Sequence, residues 1–169
     1  MASLIHELIT VLEEEKNCYE EILSTSEQKT NYIVEGDMPS LQALTTTEQS
    51  LAGKAFRLDK KREEIIADMA IVLGQDPKTL QLSFLIKKMN NMPTEQQQLQ
   101  TLQQALTELV EQLKQVNELN KQLLEQSLDF IDFTVRALQS QYSGVGPSLY
   151  ESKGQEADYR GQHFFDRKQ

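Results

Sequence analysis

Leu41, Leu44, Glu48, Leu51, Ala55, Leu58, Arg62, Ile65, Met69 and Val72 advance by threes and fours without a slip. That spacing holds one face of an α-helix toward a partner, and over this many turns the period approaches the 3.5 residues of a coiled coil. Only Glu48 and Arg62 break the apolar seam. A long helix with one apolar stripe needs another long helix to cover it. The residues before it provide one: Leu4, Leu8, Val11, Cys18 and Ile22 keep the same rhythm, interrupted by Glu15, and continue through Lys29 to Ile33.

The two seams are separated by "VEGDMPS". Gly36 suits the left-handed backbone that ends a helix, Asp37 can cap the next one, and Pro39 fits a first helical turn. Helices one and two are therefore predicted to pack as a long antiparallel pair. Gly53, costly inside a helix, is read as a close backbone approach beside Ala52 and Ala55.

Helix two is predicted to end at Gly74. A short third helix then carries Leu80, Phe84 and Leu85, with Asp76 as its cap and Pro77 at its first position. In "NNMPTEQQQ", Pro93 opens a fourth helix, and Thr94 with Gln97 resembles a capping box. Its seam is Leu99, Leu102, Leu106, Leu109, Leu113 and Val116, reaching Asn120 before Leu123. Beyond lies a second stripe of Leu124, Leu128, Ile131, Val135 and Leu138. An asparagine in a seam weakens packing while fixing register or meeting a polar partner.

From Gln141 the texture changes. Gly144, Gly146, Pro147, Gly154 and Gly161 interrupt any helical or strand period. Lys153, Arg160, Arg167 and Lys168 balance Glu151, Glu156, Asp158 and Asp166, so the net charge of -9 belongs to the helical part. Three of the five tyrosines and two of the six phenylalanines (Tyr142, Tyr150, Tyr159, Phe164 and Phe165) lie here. A merely solvating tail would be depleted in them.

The acidic balance speaks against nucleic acid and against anionic membranes, both of which call for clustered lysine and arginine. No apolar run approaches the roughly 20 residues of a membrane span, and "MASLIHELITVLEEE" lacks the basic start and cleavage site of a signal peptide. A cytoplasmic location is predicted. The single Cys18 excludes an intramolecular disulfide and sits on a seam, as a buried structural thiol does. His6 and His163 have no ligand-spaced neighbours, and no phosphate loop or serine elbow appears. No enzyme activity, metal or cofactor is predicted.

The expected fold class is all-α: an elongated antiparallel helical bundle with coiled-coil-like packing over residues 1–140. It has long helices one, two and four, a short helix three and a flexible C-terminal tail. That tail, residues 141–169, is expected to belong to the same functional unit. Binding modules use such parts, with a partner helix lying in an apolar groove and a flexible segment ordering over it. A structural coiled-coil adaptor uses them too, but with a dispensable tail. The long seams can be satisfied within one chain or between chains, which leaves self-association open.

The stretches "NYIVEGDMPSLQALTTTEQSL", "RLDKKRE", "VNELNKQLLEQSLDFIDFT" and "YSGVGPSLYESKG", with the closing "FDRKQ", resemble the flagellar export chaperones of the FlgN type, in the same order along almost the whole chain. The resemblance implies a small cytoplasmic helical chaperone. Such a chaperone binds the C-terminal helices of hook-filament junction proteins before their secretion by the flagellar type III apparatus, with the export apparatus as a second partner. Carried onto this chain, the cargo-binding residues are Asn120, Leu124, Leu128, Ile131 and Val135 of the last helix. In the tail they are Val145, Leu149, Tyr150, Tyr159, Phe164 and Phe165.

Overall fold

A computed structural model of the chain describes residues 2–78, 80–89 and 91–143, the last three by backbone alone. Among the described residues there are four helices and no strand: α1 (Ala2–Glu35), α2 (Met38–Leu73), α3 (Leu82–Lys88) and α4 (Pro93–Ser143). The chain divides into two compact units, Met1–Ile131 and Asp132–Gln169. The first is a helical bundle. The described part of the second is the end of α4.

The breakers act as their chemistry dictates. Gly36 takes φ 73, and the Asp37 amide reaches back to the Tyr32 carbonyl at 3.0 Å. Asp37 then caps α2, accepting from the Ser40 amide at 3.2 Å and from its hydroxyl at 2.6 Å. At the far end Gly74 has φ 62, and Gln75 donates to the Ala70 carbonyl at 2.9 Å. Two expected caps fail. Asp76 and Pro77 form a separate turn, in which Asp76 accepts from the Lys78 amide at 3.0 Å, and α3 starts only at Leu82. Pro93 is the first residue of α4, so Thr94 lies inside the helix and caps nothing.

The α1–α2 hairpin closes on its two seams, and the residues that interrupt those seams meet across it. Glu15 faces Arg62, with Nη1 to Oε2 at 3.2 Å, and Arg62 also bonds Asp59. Glu48 takes the Ser26 hydroxyl at 2.9 Å and the Lys29 ammonium at 2.6 Å. The Cys18 thiol donates to the Leu51 carbonyl at 3.5 Å. Burial raises its pKa, so it packs as a neutral thiol.

The main core gathers Ile5, Leu8 and Leu12 of α1, Ile65 and Met69 of α2, Leu85 and Ile86 of α3, and Leu99, Leu102 and Leu106 of α4. Each such side chain contributes about 1.5–3 kcal/mol on burial. The α3 segment fills the end of this cluster, and Gln96 of α4 ties to it by donating to the Ile86 carbonyl at 2.7 Å. The chain thereby turns so that α4 runs parallel to α1. Leu102 lies beside Glu13, Leu106 beside Leu12 and Tyr19, and Asn120 beside Ser26 and Thr30.

Asn120 is buried at 4% exposure, and both ends of its amide are used within the chain. Its Nδ2 donates to the Ser26 carbonyl at 2.8 Å, and its Oδ1 accepts from the Thr30 hydroxyl at 2.6 Å. The register role expected of it therefore has a physical basis. Its 4% exposure leaves it little surface to present outside the bundle. Gly53 departs from expectation. An added Cβ would meet only Arg57 of the same helix, at 3.7 Å, so no neighbouring backbone crowds it.

Two outcomes follow from these contacts. Gly53→Ala should raise unfolding free energy in urea by about 0.5–1 kcal/mol, since only backbone entropy changes; destabilisation would show a close approach after all. A double-mutant cycle of Asn120→Ala with Thr30→Ala should show coupling of about 0.5–1.5 kcal/mol. Strict additivity would show that the bond does not hold α4 to α1.

Candidate functional site

Two parallel helices rise equally per residue, so the length of α1 decides how far α4 is supported. With Asn120 opposite Ser26 and Thr30, Glu35 at the end of α1 falls beside about residue 127. Beyond that level the hairpin turns away into α2, and among the described residues of the first unit none continues α1 alongside α4. Exposure rises along α4, starting at Leu124, about one turn before α1 ends. Leu99, Leu102, Leu106 and Leu113 are buried, whereas Leu124 is 38%, Leu128 62% and Ile131 55% exposed.

These exposed residues share part of their azimuth with the buried seam. At 100° per residue, Leu106, Leu113, Asn120, Leu124, Leu128 and Ile131 all fall within an arc of about 80°. That arc holds the buried Leu106, Leu113 and Asn120 together with the exposed Val110 and Asn117, and above Asn120 its apolar residues Leu124, Leu128 and Ile131 are all exposed. Ser127 bonds back to the Leu123 carbonyl at 2.8 Å, and both are half-buried, on the edge of the same face. Met38 and Val34, at the hairpin tip, are exposed too.

In the second unit Val135 and Leu138 are exposed on their own helical segment, at 45% and 49%. Phe133 there and Phe130 in the first unit are the most exposed of the described aromatics. The sequence reading passed over both because they fall off the leucine stripe. The doublet of aromatics in "DFIDF", each beside an aspartate, is the signal that would have found them. Val145, Leu149, Tyr150, Tyr159, Phe164 and Phe165 lie outside the described residues.

The surface offers contact area and little reactive chemistry. Among the described residues no group of three His, Cys, Asp or Glu side chains is placed to hold a metal ion. His6 Nδ1 is 2.8 Å from the Ala2 carbonyl in the first turn of α1. No described helix is long and apolar enough to cross a membrane.

Position along α4 should therefore decide what a mutation does. Leu113→Ala, in the covered part, should cost about 2–5 kcal/mol in urea unfolding. Leu128→Ala and Ile131→Ala, on the same face above it, should each stay within about 0.5 kcal/mol of the parent. Equal losses at all three would mean that the upper face is covered in solution.

Comparison with known proteins agrees with this architecture. No curated protein and no solved structure matches the chain. The family model described as FlgN protein matches residues 1–158, which takes in the whole described bundle and continues past it. The chain belongs to the FlgN family, a family of flagellar export chaperones.

Proposed function

We propose that this chain is a cytoplasmic chaperone of flagellar hook-filament junction proteins, binding their apolar C-terminal helices and delivering them to the type III export apparatus. The supporting observation is the run of exposed apolar residues on α4 above Asn120: Leu124, Leu128 and Ile131. A face with the pattern of a bundle seam suits an amphipathic helix from another protein, which would take the place that α1 leaves vacant. Junction proteins polymerise through apolar helical ends, and such ends need cover before assembly.

The residues assigned to cargo are Leu124, Leu128 and Ile131, with Val135 and with Val145, Leu149, Tyr150, Tyr159, Phe164 and Phe165 as further contacts. Asn120 supports them from within the bundle by fixing where the cover stops. Burying a leucine or isoleucine yields about 1.5–3 kcal/mol before the cost of association. The role is non-catalytic, and the acidic bundle keeps a chaperone–cargo complex soluble.

Calorimetric titration with the C-terminal helical segments of hook-filament junction proteins tests the reading. The full chain should bind one of them saturably. Leu128→Ala with Ile131→Ala should weaken binding by roughly a hundred-fold, from two lost side-chain contacts. Phe164→Ala with Phe165→Ala should weaken it while leaving the melting temperature unchanged. Absence of binding by the full chain would favour the adaptor reading; full affinity in both variants would place the cargo elsewhere.

A further inference from the structure

A groove of about 800 Å³ opens between α1, α2 and α4 and the start of α3, within the first unit and below the face assigned to cargo. Its apolar lining includes Leu12, Tyr19, Leu106 and Val110. Glu15 also lines it, with a side chain only 2% exposed. One carboxylate oxygen of Glu15, Oε2, takes the Arg62 guanidinium at 3.2 Å, while the other, Oε1, is buried with no hydrogen-bond partner. Leaving such an acceptor unmet costs about 1–3 kcal/mol, more for a charged group. Burial pushes the Glu15 carboxyl above its ordinary range, against the pull of Arg62.

The charges around the groove favour one kind of occupant. Glu108 and Glu111 line it along α4 with Lys114, and Arg62 is already engaged by both Glu15 and Asp59. The balance is negative, and the unmet atom is an acceptor. An occupant must therefore bring a donor, preferably a cationic one, on an apolar stem. Lysine and arginine side chains have that construction. Arg62 lines the groove beside Glu15 and its side chain is 32% exposed, so an entering cation meets the Glu15–Arg62 pair at the groove wall.

We propose that this groove is a second docking site, taking a lysine or arginine of a protein partner with its stem along Leu12, Leu106 and Val110 and its charged head on Glu15 Oε1. The site is separate from the α4 face above Asn120, and its occupation does not depend on cargo being bound there. Its test uses different ligands and different variants, so either reading can fail alone.

The probe is benzamidinium, an apolar ring carrying a cationic donor, with neutral benzamide as its near-isostere. Each is titrated into the full chain while amide NMR shifts are followed. Benzamidinium should shift the amides of Glu15, Tyr19, Arg62, Leu106 and Val110 saturably, and benzamide should bind roughly ten-fold more weakly, as for loss of a hydrogen bond between charged groups. Glu15→Gln should lower benzamidinium affinity by a similar factor. Lys114→Glu, on the exposed rim, should raise it several-fold, by roughly the strength of a surface charge pair, and serves if Glu15→Gln does not fold. Equal binding of the two probes, unchanged affinity in Glu15→Gln or Lys114→Glu, or no saturable shift would overturn the proposal and leave the groove to solvent.

Discussion

The carboxamide of Asn120 decides where the bundle ends. It holds α4 against Ser26 and Thr30 of α1, and only one register satisfies both its donor and its acceptor. A leucine in its place would pack in several neighbouring registers at similar energy, because a leucine seam looks alike at every turn. With the register fixed, the length of α1 sets how far it runs beside α4. Leu128 and Ile131 lie past the level at which Gly36 turns the hairpin back, and Leu124 is exposed about one turn below it.

A second polar device works lower in the hairpin. Glu15 with Arg62, and Glu48 with Ser26 and Lys29, interrupt apolar seams at positions where leucine would give more stability. Such pairs rarely repay their desolvation in full. They discriminate among alignments, since a shift of one turn between α1 and α2 would set Glu15 and Arg62 against apolar neighbours. Alignment set by buried polar pairs is a sound exchange for some stability in a bundle whose leucine seams alone would fit several alignments. The unmet Oε1 of Glu15 goes beyond that account, because registration needs only the oxygen that Arg62 holds.

The helices and their order were legible because their seams keep the helical period over many turns, and Gly36 with Asp37 punctuates them without ambiguity. The seam interruptions at Glu15, Glu48 and Arg62 were visible as well. Their pairing was not, because it depends on how far α2 slides along α1. Caps were harder. Asp-Pro at 76 and 77 has the composition of a helix start but closes a lone turn, since α3 must begin later for Leu85 and Ile86 to reach the core. Gly53 was misread because a glycine among small residues looks the same whether a neighbour crowds it or not. The stripe at Leu124, Leu128 and Ile131 was evident as a pattern. What the pattern does not encode is that it shares part of its azimuth with the buried seam and that α1 ends beside about residue 127. Asn120 was legible as a polar interruption of the seam, but not its bonds to Ser26 and Thr30, which depend on how α4 lies along α1.

Family membership assigns the chain to flagellar export chaperones, and the bundle supplies a physical reason for where such a chaperone would hold its cargo. The central claim is that the uncovered face of α4 is completed by a helix from another protein. Hydrogen exchange on the full chain tests it most directly, with and without a C-terminal helical segment of a junction protein. The account predicts that amides from Leu124 to Leu138 exchange fast in the free chain and are slowed on binding, while those of Leu8, Met69 and Leu99 stay protected in both states. Binding that slows exchange only elsewhere, with residues 124–138 unchanged, would contradict it.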